Sequence, residues 1–254
     1  MTVIRARDNP RVRRWARLST DAGFRRSEKR VLIEGPHLVA EALQAGLEPR
    51  ALIVSESGLK RKEIRQLVGR RESVILADQV FSNVTDAETP PGIAAEIETP
   101  QAKADAAKPA VFLEGVQDPT NVGAILRTAA AFGAGEVVLD RACADPWSPK
   151  VLRAAMGGHF KLALRQVGEL EEALAAFSGK LVCTVPTAGI PIGKADLDGR
   201  LGWIFGAEGK GVSEALARRA AMKVTIAMAP GNESLNVAAA AAICLYETFS
   251  RDES

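Results

Sequence analysis

Asn232, Glu233, Ser234 and Asn236 crowd four polar groups into five positions just before an alanine-rich run, in NESLNVAAAAAICLYETF (232–249). One of them is enough to cap a helix. The others leave amides, a hydroxyl and a carboxylate beside the unpaired N–H groups of a helix start, a combination suited to holding a polar ligand. A second such stretch is WIFGAEGKGVSE (203–214), where Gly206, Gly209 and Gly211 follow an apolar strand and surround Glu208. The spacing is not G-x-G-x-x-G, and Lys210 is followed by Gly211 rather than Ser or Thr, so it is neither a dinucleotide fingerprint nor a phosphate P-loop. Glycines here predict close backbone approach to a ligand, and Glu208 is a carboxylate that could hold a guanidinium. The third stretch is LEGVQDPTNVGAILRTAA (113–130). Asn121 can cap its helix or face a ligand. Arg127 stands alone among Ala124, Ile125, Leu126, Ala129, Ala130, Ala131 and Phe132, which predicts an anionic partner for it.

These stretches fall where strands should hand over to helices. From residue 110 the chain alternates short apolar strands (VFLEGV, EVVLD, KLVCTV, LGWIFG, KVTIAM) with helices, the signature of a parallel sheet covered on both faces. Ligands in such folds lie beyond the carboxyl ends of the strands. Residues 1–98 read as a smaller α/β module. The Ala/Lys/Pro-rich stretch 99–109 reads as a linker, and 110–254 as the larger domain.

Composition narrows the classes. Hydrophobic residues make up 47% and charged residues 25% of the 254, as in a soluble globular protein. There is no apolar run of membrane-spanning length and no signal-peptide h-region at the start. Cys143, Cys183 and Cys244 are scattered and there are two histidines, so the expectation is a cytoplasmic protein without a metal site. Neither His37 nor His159 lies in the three stretches, and neither is assigned a catalytic role. Residues 1–30 hold ten Lys/Arg against three Asp/Glu, although the whole chain carries only +2. Arg11, Arg13, Arg14, Arg25, Arg26 and Lys29 are the candidate nucleic-acid contacts of that cluster. Trp15 among them can stack on a base or pack into the core.

In this order, NVGAILRTAAAFGA, IFGAEGKGVSE and VTIAMAPGNESLNVAAAAAICLYE resemble the three motifs of the SpoU/TrmH family, within the SPOUT superfamily. Its members are S-adenosylmethionine-dependent RNA ribose 2′-O-methyltransferases. The likeness runs over roughly 110–250 and includes SPKVLRAAMGGHFKLAL. Residues 10–98 are similar to the ribosomal-protein-like substrate-binding module of family members that act on ribosomal RNA.

The resemblance implies a deep trefoil knot in the C-terminal domain, a homodimer, and S-adenosylmethionine as cofactor. By motif position it implies Asn121, Arg127, Glu208, Ser234 and Asn236 as catalytic residues. It implies cofactor contacts from Thr184, Val185, Pro186 and Gly189, then Phe205, Gly206, Ala207 and Gly211, then Ile226, Met228 and Leu235. Ala155 and Ala238 stand where the family often has Ser. An ordinary arginine is a poor base. The expectation is therefore that Arg127 binds the phosphate beside the target ribose and steadies the developing alkoxide, oriented by Glu208 and Asn121, while Ser234 and Asn236 hold the loop and ribose. The separate N-terminal module points to 23S ribosomal RNA. Transfer RNA as substrate, or an RNA-binding protein without turnover, remain as alternatives. A nicotinamide enzyme is disfavoured by the missing fingerprint.

Overall fold

The computed structural model describes residues 2–252. The chain divides into two compact units, one built from the residues up to Pro100 together with Pro146–Phe160, the other from Gln101–Asp145 and the chain from Lys161 onward.

The first unit runs β1 (Val3–Ile4), α1 (Pro10–Thr20), α2 (Ala22–Glu28), β2 (Arg30–Glu34), α3 (Pro36–Gln44), β3 (Ala51–Ser55), α4 (Lys62–Val68), β4 (Ser73–Leu76), α5 (Asp78–Phe81) and β5 (Ile93–Glu98). The sheet order is β1-β4-β3-β5-β2. β1, β4 and β3 are parallel, while β5 runs antiparallel to both β3 and β2. Alternation of period two puts Val31, Ile33, Leu52 and Val54 on one face and Leu32 and Ile53 on the other, each in its own apolar cluster. α1 starts where the Asn9 side chain accepts from the Arg11 N–H at 2.9 Å with Pro10 in the first turn, and buries Val12, Trp15 and Leu18. These elements make up an α/β module, as expected of the N-terminal residues. The two-residue β1 and the basic α2 were not anticipated.

The second unit holds β6 (Ala110–Leu113), α6 (Pro119–Ala131) and β7 (Glu136–Asp140). The next helix, α7 (Pro149–Ala155), lies in the segment that clusters with the first unit, where Leu152 joins the core beside Val39 and Ala42. The second unit resumes with β8 (Ala163–Val167), α8 (Leu170–Ala175), β9 (Lys180–Thr184), β10 (Ile190–Pro191), β11 (Leu201–Phe205), α9 (Glu214–Ala217), β12 (Met222–Thr225) and α10 (Val237–Asp252). Its sheet has seven strands in the order β10-β12-β9-β11-β6-β7-β8. Every neighbouring pair is parallel. β6 and β11 are buried along their whole length, as strands covered on both faces must be. α10 packs against α6. It is also tied to the sheet by Trp203 Nε1, which donates to Thr248 Oγ1 at 3.0 Å. The strand order reverses at β6, with β7 on one side and β11 on the other, which makes a crevice at the carboxyl ends. Residues 99–109 form no helix or strand, and a Cβ at Gly135 would lie 2.9 Å from the Asp105 carbonyl oxygen of that stretch. No helix among the described residues is long and apolar enough to cross a membrane.

Candidate active site

Three chain reversals at the carboxyl ends of β6, β11 and β12 build the site. After β6, Asp118 caps α6 by accepting from the Thr120 N–H at 2.7 Å, with Pro119 in the first turn. Asn121 is therefore freed from capping. Its side chain is 9% exposed and points across to the next loop.

That loop, Gly206–Gly211, closes on itself. The Gly211 N–H donates to the Ala207 carbonyl at 2.8 Å, and the two residues form an isolated antiparallel bridge. A Cβ on Gly206 would collide with the Gly211 carbonyl, and Gly209 and Gly211 take φ of +78° and +68°. The three glycines let the loop close on itself, and all three also lie on the wall of the pocket described below. The closed loop holds out Glu208, whose Oε1 accepts from Asn121 Nδ2 at 2.7 Å.

The third reversal is the polar stretch after β12. Asn236 Oδ1 accepts from the N–H groups of Ala238 and Ala239 at 2.9 and 3.2 Å, which makes it the cap of α10. Asn236 Nδ2 donates to Asn121 Oδ1 at 2.9 Å. Glu208, Asn121 and Asn236 are therefore one hydrogen-bonded chain joining all three reversals. The other polar residues of that stretch are exposed; Asn232 Nδ2 donates to the Ala229 carbonyl at 3.0 Å.

Beside this chain is a pocket of about 490 Å³. Thr184, Val185 and Pro186 from the end of β9 and Gly206, Ala207 and Gly211 from the end of β11, all expected as cofactor contacts, lie on its wall. Ile226, Met228, Ser234 and Leu235, also predicted, complete it with Asn236 and Glu208. Two predicted contacts are not on the wall. Phe205 is buried in β11 and stacks against Trp203 at 6.1 Å between ring centres. The Gly189 N–H donates to Thr225 Oγ1 at 2.9 Å, and that hydroxyl donates to the Val185 carbonyl at 3.1 Å. A side chain at 189 would sit 2.6 Å from the same oxygen, so Gly189 lets the 184–189 loop be clamped to β12. Thr225 and Lys210, the latter a pocket residue, were missed; a threonine in VTIAM carries no signal beyond strand propensity.

Arg127 departs from the expected pairing. Glu208 is engaged by Asn121, and the exposed Arg127 guanidinium has no hydrogen bond or ion pair among the described residues. It lies six residues beyond Asn121 in α6, about 9 Å along the axis.

The basic cluster of the first unit divides into structural and free cations. Arg25, a predicted RNA contact, is 5% exposed and its Nη1 donates to the Leu18 and Ser19 carbonyls at 2.6 and 3.1 Å, locking the corner between α1 and α2. Arg14 is half-buried between Glu28 and Glu96. Trp15 is buried, with Nε1 donating to Glu96 Oε2 at 2.8 Å, so it packs rather than stacks. Arg11, Arg13, Arg26 and Lys29 are exposed. Arg11 lies over the Trp15 ring at 5.1 Å, and Arg13 Nε donates to the Asp8 carbonyl at 2.9 Å. Arg26 and Lys29 carry no side-chain partner among the described residues. His37 and His159 contact the carbonyls of Met156 and Pro146 at 3.3 and 2.6 Å, and neither histidine lines the pocket. Among the described residues no group of three or more His, Cys, Asp or Glu is arranged to hold a metal ion.

A parallel α/β sheet with three looped reversals around a strand-end pocket defines a class of α/β enzyme domains that includes the SpoU methyltransferases. The structure superposes with a TM-score of 0.87 on the SpoU methyltransferase AviRb from Streptomyces viridochromogenes, solved in complex with AdoMet, at 25% identity over 97% of this chain and 99% of that one. An RNA 2′-O ribose methyltransferase gives 0.84 at 30% identity, with both chains covered completely. The SpoU rRNA Methylase family matches residues 108–246, and an MRM3-like substrate binding domain matches residues 9–95. The chain is 34% identical over 249 residues to the 23S rRNA (guanosine(2553)-2′-O)-methyltransferase RlmP of Bacillus subtilis strain 168, spanning 97% of this chain and 98% of the relative. The chain belongs to the SpoU rRNA methylase family.

Proposed function

We propose that this protein transfers a methyl group from S-adenosylmethionine to a ribose 2′-hydroxyl of RNA, with 23S ribosomal RNA as the substrate. The observation that carries this is the Glu208–Asn121–Asn236 chain, which fixes three loops around a strand-end pocket in a SpoU-family domain. The substrate class follows the Bacillus subtilis relative, matched along nearly its whole length, and the substrate-binding module at 9–95.

The pocket fits the cofactor. Its volume lies in the range for small-molecule sites. Val185, Pro186, Ile226, Met228 and Leu235 offer apolar surface for a flat purine, and the adjoining strand ends offer backbone groups. The cofactor supplies a methyl group activated on a sulfonium. The protein's part is to position and to stabilise charge. Arg127, whose guanidinium has no partner among the described residues, binds the phosphate next to the target ribose and steadies the negative charge that develops on the 2′-oxygen as its proton passes to solvent water. Asn121, held at both ends of its amide, fixes the geometry of that helix start, and Asn236 fixes the start of α10. Ser234, an exposed hydroxyl on the pocket wall, holds the ribose. The 2′-hydroxyl is absent from DNA, so RNA alone can be the acceptor.

On the first unit, Arg11, Arg13, Arg26 and Lys29 hold the RNA backbone. The active form is a homodimer, a reading supported by the 54% exposure of Tyr246 on α10 beside Phe132. The knot is supported by the laying of β11 between β9 and β6, after which β12 returns to the far side of β9. The protein works in the cytoplasm.

The test incubates purified protein with methyl-labelled S-adenosylmethionine and separate pools of unmodified ribosomal and transfer RNA, then digests to nucleosides for mass spectrometry. Label on a ribose of 23S RNA is expected. Label only in transfer RNA overturns the substrate, and no label in either pool with no cofactor binding overturns the activity.

A further inference from the structure

Lys210 is assigned no role above, yet it is the only cation on the pocket wall among the described residues. It is exposed, with no ion pair or hydrogen bond from its ammonium among those residues. The nearest carboxylate in sequence, Glu208, is engaged by Asn121. Loop geometry sharpens the point. The bridge between Ala207 and Gly211, with the Gly211 carbonyl filling the space at Gly206, ties together the two ends of a loop whose tip is Glu208, Gly209 and Lys210. A loop closed in this way presents two opposite charges from fixed ends, one directed into the polar chain and the other left over. An unpaired ammonium beside a pocket attracts oxyanions, and water screens it less there than on an open surface.

Resting on the methyltransferase reading, we infer that Lys210 is an oxyanion-binding residue of the pocket, recognising a carboxylate or phosphate oxygen of one of the two reactants. Both carry such groups: the cofactor has an α-carboxylate, and RNA has a phosphate on each side of the target ribose. Lys210 acts as a point charge on a flexible stem, so it sets affinity more than geometry. An exposed charge-assisted contact of this kind changes affinity by about five- to tenfold.

The experiment compares wild type, K210A and K210R by calorimetry with S-adenosylmethionine and with 5′-methylthioadenosine, which lacks the amino-acid carboxylate. The same proteins are assayed for KM and kcat on 23S RNA at two salt concentrations. A five- to tenfold weaker cofactor affinity in K210A, with methylthioadenosine affinity unchanged and K210R near wild type, supports the carboxylate as the partner. Unchanged cofactor affinity with a five- to tenfold higher RNA KM, shrinking at high salt, supports the phosphate. K210A indistinguishable from wild type in every arm, while wild type binds cofactor and methylates, overturns the Lys210 assignment alone. Wild type that binds neither cofactor nor RNA overturns both this assignment and the activity on which it rests.

Discussion

Asn121 Nδ2 donates to Glu208 Oε1 at 2.7 Å, so the carboxylate that sequence paired with Arg127 instead holds an amide. Glu208 then acts as a hydrogen-bond acceptor rather than as a counter-ion. E208Q, whose amide oxygen can still accept, is expected to keep activity within a few-fold of wild type. E208A leaves the Asn121 amide without its acceptor and should lose about 1–3 kcal/mol of transition-state stabilisation. Steady-state kinetics of the two variants checks this; equal, severe losses in both would show that the charge matters.

Asn236 does two jobs with separate atoms, capping α10 through Oδ1 and holding Asn121 through Nδ2. N236D keeps the acceptor and loses the donor, so its melting temperature should stay near wild type while turnover falls. N236A loses both, with a melting temperature lower by about 2–4 °C from the lost cap. Thermal melts beside activity assays separate the two roles.

Arg127 is exposed and has no partner among the described residues, so it contributes little to the fold. R127A should melt like wild type and bind cofactor normally, while kcat falls by roughly 100-fold or more. An R127A enzyme with near-normal turnover would remove Arg127 from the mechanism.

Neighbouring arginines in α2 should behave oppositely. R25A removes a buried guanidinium that donates to two carbonyls, at an expected cost of about 1–3 kcal/mol in stability. R26A should leave stability unchanged, weaken RNA binding, and reduce the salt slope of binding by about 1. Denaturant titration and salt-dependent RNA binding on both variants measure this.

All three cysteines are buried. Burial, with Asp140 nearby, pushes the Cys143 thiol up to about 12. Burial likewise pushes Cys183 and Cys244 upward. A raised thiol pKa means less thiolate at a given pH, so the native protein should be inert to a thiol reagent at pH 8, with three thiols titrating only on unfolding. Fast reaction of any native thiol would contradict the packing around it.

Much of the fold was legible because its determinants are local. Continuous apolar runs in VLI, ALIV, VFL and LGWIF each set a strand from its own residues, whereas the cap of α6, for which sequence offered Asn121, is Asp118. The three reversals were legible too, as clusters of glycine and short polar side chains at strand ends, and their order carried the family. The partners of those side chains were not. Asn121 and Glu208 are 87 positions apart and Asn121 and Asn236 are 115 apart, so their bonds exist only once β6, β11 and β12 are laid in one sheet. The same holds for Arg25 and Arg26. Adjacent and alike in sequence, they part because a helix turns one toward the α1 corner and the other to solvent. The elements, the reversals and the chemistry on offer depend on near neighbours and can be read along the chain. The tertiary structure alone decided which polar groups satisfy one another and which stay free, since a side chain's partner is set by packing across the chain.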